Sequence, residues 1–352
     1  MINIENYLKN IVYKNQSPSV QYAFFNTDSV IYRYADGFRN IASKTRVDSS
    51  TTFNLFSITK TFTAISILQL AQSGSIELNR PAYDYLPEFP YPKQITILQL
   101  LYHSSGIPNP LPLRWVHLPA EHTGFDRNLF FKNVFQRNKS VKFDPGTKFS
   151  YSNLGYVLLG QLIEAVSGKS YESYVKEKIF DIIGISSPNL GFNPDPSMHA
   201  TGYQKWLSAS NALLELLIDK RKFMGAKEGK WKPFNIFYVN GTPYGGMIGS
   251  LDGLVRYAQV VLQIERLLLQ KPFSEMLFAE NMINNKPTGM AISWFTGILN
   301  GNKYFTHAGG GGGYYAELRI YPALGKGSVI MLNRSGMSDE RILDKADGFY
   351  FS

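Results

Sequence analysis

The chain of 352 residues contains no cysteine. That absence excludes structural disulfides, thiolate metal sites and a cysteine nucleophile together, and fits reducing and oxidising compartments alike. No run of 18 or more apolar residues is present, so no membrane-spanning helix is expected. The opening residues Met1-Ile2-Asn3-Ile4-Glu5-Asn6 lack the basic segment and apolar stretch of a signal peptide. The expectation is a cytoplasmic protein if the sequence is complete, and a secreted or periplasmic one if a leader has been left out. Histidine is scarce. His103, His117, His122, His199 and His307 never fall four apart on a helix and have no carboxylate at ligand spacing, so neither a metal nor another cofactor is expected.

Familiar signatures are missing as well. No serine stands in Gly-x-Ser-x-Gly, which excludes the α/β-hydrolase nucleophile elbow. Gly168-Lys169-Ser170 ends like a phosphate-binding loop, but Ile163 occupies the place of its first glycine. The net charge of +9 is spread along the chain, and its one dense basic stretch, from Lys220-Arg221-Lys222 to Lys232, reads as a solvated helix or loop. No basic and aromatic interleaving marks a nucleic-acid motif, so no nucleic-acid partner is expected.

With 44% apolar residues the chain has ample material for a core. Ile4, Tyr7, Leu8, Ile11 and Val12 predict an amphipathic first helix, and the runs 20–25 and 30–34 predict a hairpin. A buried helix is expected from Ser57 to Ala71, stopping at Ser73-Gly74, and another from Leu154 to Val166, stopping at Ser167-Gly168. Residues 75–145 are proline-rich and predict short helices joined by turns, without sheet. Further helices are expected over 171–183, 209–221, 251–268 and 338–350, and strands over 291–299, 303–306, 314–321 and 328–333. Residues 186–240 are otherwise irregular. Strands at both ends with helices between them predict an α+β fold in which the termini build one antiparallel sheet. Residues 1–75 and 237–352 would form the sheet domain and 76–236 a mainly helical one, with the active site between them.

Two residue pairs place a hydroxyl three positions before an ammonium on a helix, Ser57 with Lys60 and Ser173 with Lys176. The second lies on a charged helix and reads as solvated. The first opens a stretch, Thr61 to Ile76, without one Asp, Glu, Lys or Arg. A serine needs an adjacent base to become a nucleophile and donors aimed at the oxyanion that follows attack. Lys60 is one base, if desolvation strips its proton. Alternatively a charged Lys60 lowers the pKa of a tyrosine, for which Tyr151 is the choice. Asn153 is placed to donate its amide to a substrate carbonyl. His307-Ala308-Gly309 ends a β-like run and opens the glycine stretch, where the backbone accepts close approach of a substrate. The Gly310 amide is a second oxyanion donor beside that of Ser57.

Ser57-Ile58-Thr59-Lys60, Tyr151-Ser152-Asn153 and His307-Ala308-Gly309, in this order, resemble the three motifs of the serine β-lactamase and penicillin-binding-protein superfamily. The branch most resembled contains class C β-lactamases, D-alanyl-D-alanine carboxypeptidases, D-aminopeptidases and esterases. Connecting text over 56–64, 100–108, 143–168 and 245–262 is similar too. The resemblance implies a β-lactamase/transpeptidase-like fold and a serine hydrolase working through an acyl-enzyme on a small-molecule ester, peptide or β-lactam substrate. Ser57 would be acylated, Lys60 and Tyr151 would share proton transfer, and Asn153, His307 and Gly309 would bind substrate. β-Lactamases of this branch usually carry lysine where His307 stands. A histidine is at most partly charged near neutral pH, which favours an esterase or peptidase. The alternative is a catalytically weak or inactive penicillin- or peptide-binding sensor or scaffold of the same fold. The substrate and the oligomeric state are not readable from the sequence.

Overall fold

The computed structural model describes residues 3–207, 219–336 and 341–351. Its frame is an eight-stranded antiparallel sheet. The strands are β1 (Ser19–Asn26), β2 (Val30–Asn40), β3 (Thr45–Arg46), β4 (Met290–Ala291), β5 (Trp294–Leu299), β6 (Asn302–Gly311), β7 (Tyr314–Tyr321) and β8 (Lys326–Leu332). They lie in the order β4-β5-β6-β7-β8-β1-β2-β3. The chain ends therefore meet in mid-sheet, where Val20 faces Leu332 and Asn26 faces Lys326. The α+β architecture expected from the sequence is the one observed.

Strand β1 is apolar on both sides because both faces of the sheet are covered. Val20, Tyr22 and Phe24 pack with Leu8 and Ile11 of helix α1 (Ile4–Tyr13), while Ala23 and Phe25 join the main core on the other face. On the first face Asp347, fully buried, accepts hydrogen bonds from Tyr22, Tyr321 and Ser328 hydroxyls at 2.9, 2.8 and 2.7 Å. This carboxylate ties the last helix to the first strand of the sheet.

Helix α4 (Leu251–Leu262) lies against β1, β7 and β8 on the second face, and helices α2 (Thr59–Gln72) and α3 (Asn153–Ser167), packed on each other, share the same core. Helix α2 carries no charged side chain but Lys60 and is buried nearly all round. Its hydroxyls are satisfied within the core: Thr61 and Ser66 donate to the Ile58 and Phe62 carbonyls at 2.8 and 2.9 Å. Ser152 caps α3 by accepting from the Gly155 amide, and Gly168, at φ 68°, ends it.

Several expectations are corrected. The proline-rich stretch does hold a strand, since 116–117 pairs antiparallel with Tyr238–Val239. Residues 171–183 form two short α-helices around a wider π-turn, Lys176–Phe180. Helix α4 ends at Leu262, where Gln263 leaves helical geometry, and a 3-10 turn over Ile264–Arg266 follows. The expected strand 291–299 is a hairpin, β4 and β5, turned at Ser293 with φ 62°. Within the irregular stretch, Tyr203–Lys205 pairs with Trp231–Pro233 and Leu190–Gly191 with Ile248–Ser250. Most of the helix expected over 209–221, and the start of that over 338–350, lie outside the described residues; the described parts are Lys220–Phe223 and Ile342–Asp347.

Candidate active site

Ser57 sits in a 3-10 turn, Phe56–Ile58, that leads from the strand Thr52–Asn54 into α2. Phe56 has φ 43°, in the left-handed region that side chains avoid, a conformation that costs about 1–3 kcal/mol and is held by its surroundings. The surrounding element is β6. A Cβ on Gly309 would lie 2.0 Å from the Leu55 carbonyl oxygen and 2.9 Å from the Ser57 amide nitrogen. Only glycine lets this strand approach the turn that presents the serine.

Lys60, one helical turn on, is 0% exposed and donates to Ser57 Oγ at 3.1 Å and to the Tyr244 carbonyl at 2.7 Å. Its ammonium is ringed by Tyr151, Tyr244 and Tyr156, at 4.9, 5.3 and 5.6 Å from their ring centroids. None of the ion pairs among the described residues includes it. Burial therefore pushes its pKa well below the ordinary lysine value of 10.5, toward the neutral amine. The other Ser-x-x-Lys pair has the opposite fate: Ser173 and Lys176 are exposed, and Lys176 is bonded to Asp181 at 3.0 Å.

The Tyr151 ring lies 4.9 Å from Lys60 Nζ, and burial raises the pKa of its hydroxyl above that of an ordinary tyrosine, an effect the Ser57 hydroxyl opposes. Burial thus acts on Lys60 and Tyr151 in one sense, favouring a neutral amine beside a neutral phenol. Tyr151 is held by His103, whose ring packs against it at 4.3 Å and against Tyr156 at 4.9 Å. His103 Nδ1 accepts from the Ser152 amide at 3.1 Å, which leaves the proton on Nε2, a buried atom without a partner among the described residues. Burial, with Lys60 and His307 nearby, keeps this imidazole neutral.

Asn153 is the first residue of α3, buried, its amide donating to Asn109 Oδ1 at 3.0 Å and its own Oδ1 unpartnered. His307 lies within β6, not after its end: the glycine run continues the strand to Gly311. Its Nδ1–H donates to the Ser293 carbonyl at 2.6 Å, and its ring stands 6.5 Å from Tyr151 and 5.7 Å from Phe295. Burial and Lys60 depress its pKa to about 3, so the partial positive charge expected at this position is absent. Strand β5 pairs with β6 only as far as Thr306, so His307–Gly311 has a strand neighbour on the β7 side alone. Gly310 is exposed along this stretch.

The structure thus gathers Ser57, Lys60, Tyr151, His307 and Gly309 around one turn, with Asn153 at the head of the adjoining helix. Sequence reasoning missed Phe56, His103 and Tyr244. The one local signal for His103 was its place in Leu100-Leu101-Tyr102-His103-Ser104-Ser105-Gly106. Among the described residues no three His, Asp or Glu side chains cluster as metal ligands. No helix there is long and apolar enough to cross a membrane.

Comparison with known proteins bears on the family and the fold. The chain is 25% identical over 334 residues to penicillin-binding protein 4* of Bacillus subtilis, covering 92% of this chain and 70% of that protein. Protein flp of Staphylococcus aureus is 28% identical over 209 residues, where the match takes in 57% of this chain and 40% of flp. Among solved structures, D-amino acid amidase from Ochrobactrum anthropi superposes with a TM-score of 0.79 at 20% identity, covering 99% of this chain and 96% of the amidase. A class C β-lactamase from Rhodobacter sphaeroides gives 0.75 at 17% identity, covering 99% of each chain. The octameric penicillin-binding protein homologue from Pyrococcus abyssi gives 0.77 at 23% identity, covering 97% of this chain and 75% of the homologue. The β-lactamase family model matches residues 4–349, so the chain belongs to the β-lactamase family.

Proposed function

We propose that this protein is a serine hydrolase that cleaves an ester, an amide or a D-amino-acid peptide bond through an acyl-enzyme on Ser57. The observation that carries this reading is Lys60: a buried lysine without a carboxylate, 3.1 Å from Ser57 Oγ. A neutral amine accepts the serine proton, directly or through the hydroxyl of Tyr151, whose ring lies 4.9 Å from the lysine nitrogen. Oγ then bonds to the substrate carbonyl carbon, and the oxyanion takes hydrogen bonds from the Ser57 and Gly310 amides. As the tetrahedral centre collapses, the bond to the leaving group breaks and the proton returns from Lys60 through the Tyr151 hydroxyl to the departing atom, leaving both groups neutral again. Water repeats the sequence against the acyl-enzyme, releasing the acid and returning the proton to Ser57.

A neutral His307 gives no cation for a substrate carboxylate, which supports substrates uncharged at that end over typical β-lactams. Asn153, with its side chain partly unpartnered, orients the substrate amide or ester. The test is incubation with a fluorophosphonate, a short-chain nitrophenyl ester and a penicillin, followed by intact mass and peptide mapping. Mass is expected on Ser57 with the first two, and Ser57→Ala should abolish ester hydrolysis. Unchanged hydrolysis by Ser57→Ala, or no adduct at Ser57 with any reagent, overturns the proposal.

A further inference from the structure

Beside Ser57 lies a partly open pocket with a cavity volume of about 120 Å³. Its floor is the backbone of Gly310–Gly312, and its walls include Phe56, Phe237, Val116 and Val239. Of the side chains around it only that of Tyr244 carries a polar atom, and none is charged. The walls are built for this shape. Val116 and Val239 face each other across the two-stranded ribbon that the proline-rich segment contributes. A Cβ on Gly312, in the turn after β6 at φ 48°, would lie 2.4 Å from Phe237 Cζ, so the turn passes that ring only as glycine.

The cavity's position relative to the chemistry decides what enters it. Lys60, Tyr151, Asn153 and His307 take no part in its lining. It begins at Gly310, whose amide is the proposed oxyanion donor, and runs on along the strand away from His307. The leaving group is drawn toward Tyr151, which protonates it, and the other substituent of the carbonyl is directed over Gly310–Gly312. A dry apolar cavity of about 150 Å³ accommodates benzene, so this one matches a phenyl ring or a branched alkyl group.

Resting on the serine-hydrolase reading, we propose that this cavity is an acyl-side specificity pocket, and that the enzyme prefers acyl groups ending in a phenyl or branched alkyl group. The test compares kcat/KM for nitrophenyl phenylacetate and nitrophenyl acetate, each normalised to its rate with hydroxide. The wild type should favour phenylacetate by at least about tenfold, the scale of a well-filled apolar pocket. Val239→Phe, which fills the cavity, should remove most of that preference. Val239→Ala should move the optimum toward a longer acyl group such as 3-phenylpropanoate, and remains informative if the larger residue prevents folding. Equal normalised rates in the wild type and in both variants, with acetate still labelling Ser57, overturn the pocket alone. Absence of any label on Ser57 overturns the hydrolase reading and the pocket with it.

Discussion

At the scale of the residue, solvation of Lys60 governs the site. A lysine in water holds its proton and is no base; the same group, buried among Tyr151, Tyr156 and Tyr244, has its pKa pushed well below the ordinary value. On the proposed mechanism only the neutral amine accepts the proton of Ser57, so activity should rise with pH as Lys60 deprotonates. The acid limb of kcat/KM should therefore lie well below 10.5, and Lys60→Met should slow acylation of Ser57 by about 10²–10⁴-fold. A limb at the ordinary lysine value, or unchanged labelling of the variant, would contradict this. The sequence made Lys60 conspicuous because no charge follows it before Ile76, and it separated this pair from Ser173 and Lys176 for the right physical reason. It was silent about what completes the environment. The carbonyl that holds Lys60 belongs to Tyr244, and the carbonyl that fixes the His307 tautomer belongs to Ser293. Such contacts come from tertiary packing, and no local pattern encodes them.

At the scale of the element, the site depends on how closely strand β6 and the turn before α2 can approach. The sequence marked both elements and both helix ends of α2 and α3, where capping chemistry is local. It misread the glycines as a stretch following a strand. Runs without side chains carry no alternation of apolar and polar positions, so the pattern that identifies β6 disappears where the strand enters the site. Gly309→Ala should force β6 away from Leu55 and Ser57, with a loss of about 10²–10³-fold in acylation rate if one oxyanion donor is displaced. Gly310→Ala is the comparison: its Cβ meets nothing nearer than 3.5 Å, so it should cost much less. The rate of fluorophosphonate labelling of Ser57 measures both, and equal losses would show that the approach of β6 is not the controlling distance.

At the scale of the whole molecule, one core joins the second face of the sheet to α2, α3 and α4, and it holds neutral histidines that acid must charge. Burial depresses His199 from 6.5 to about 4, His307 with Lys60 nearby to about 3, and His103 well below its ordinary value. The unfolded chain binds these protons first, so stability is present above pH 6.5 and is lost as pH falls from there through 4 toward 3. Asp347 acts in the opposite sense, since burial raises its pKa to about 6, and it offsets part of the loss. His199 lies away from Ser57, bonded to Thr52 and Tyr314, so His199→Gln isolates the effect. Its urea midpoint should fall less between pH 7 and pH 4 than that of the wild type, by an amount worth about 3 kcal/mol or less. Parallel pH profiles for the two proteins would refute the assignment. The meeting of the chain ends in mid-sheet also has a meaning in time. On the ribosome β1 is made about 300 residues before the β8 strand that flanks it and the Asp347 that binds Tyr22. Until those residues emerge, one edge of a strongly apolar strand stays unpaired. The nascent chain carries this aggregation hazard through that whole interval, and a product truncated before β8 keeps it permanently.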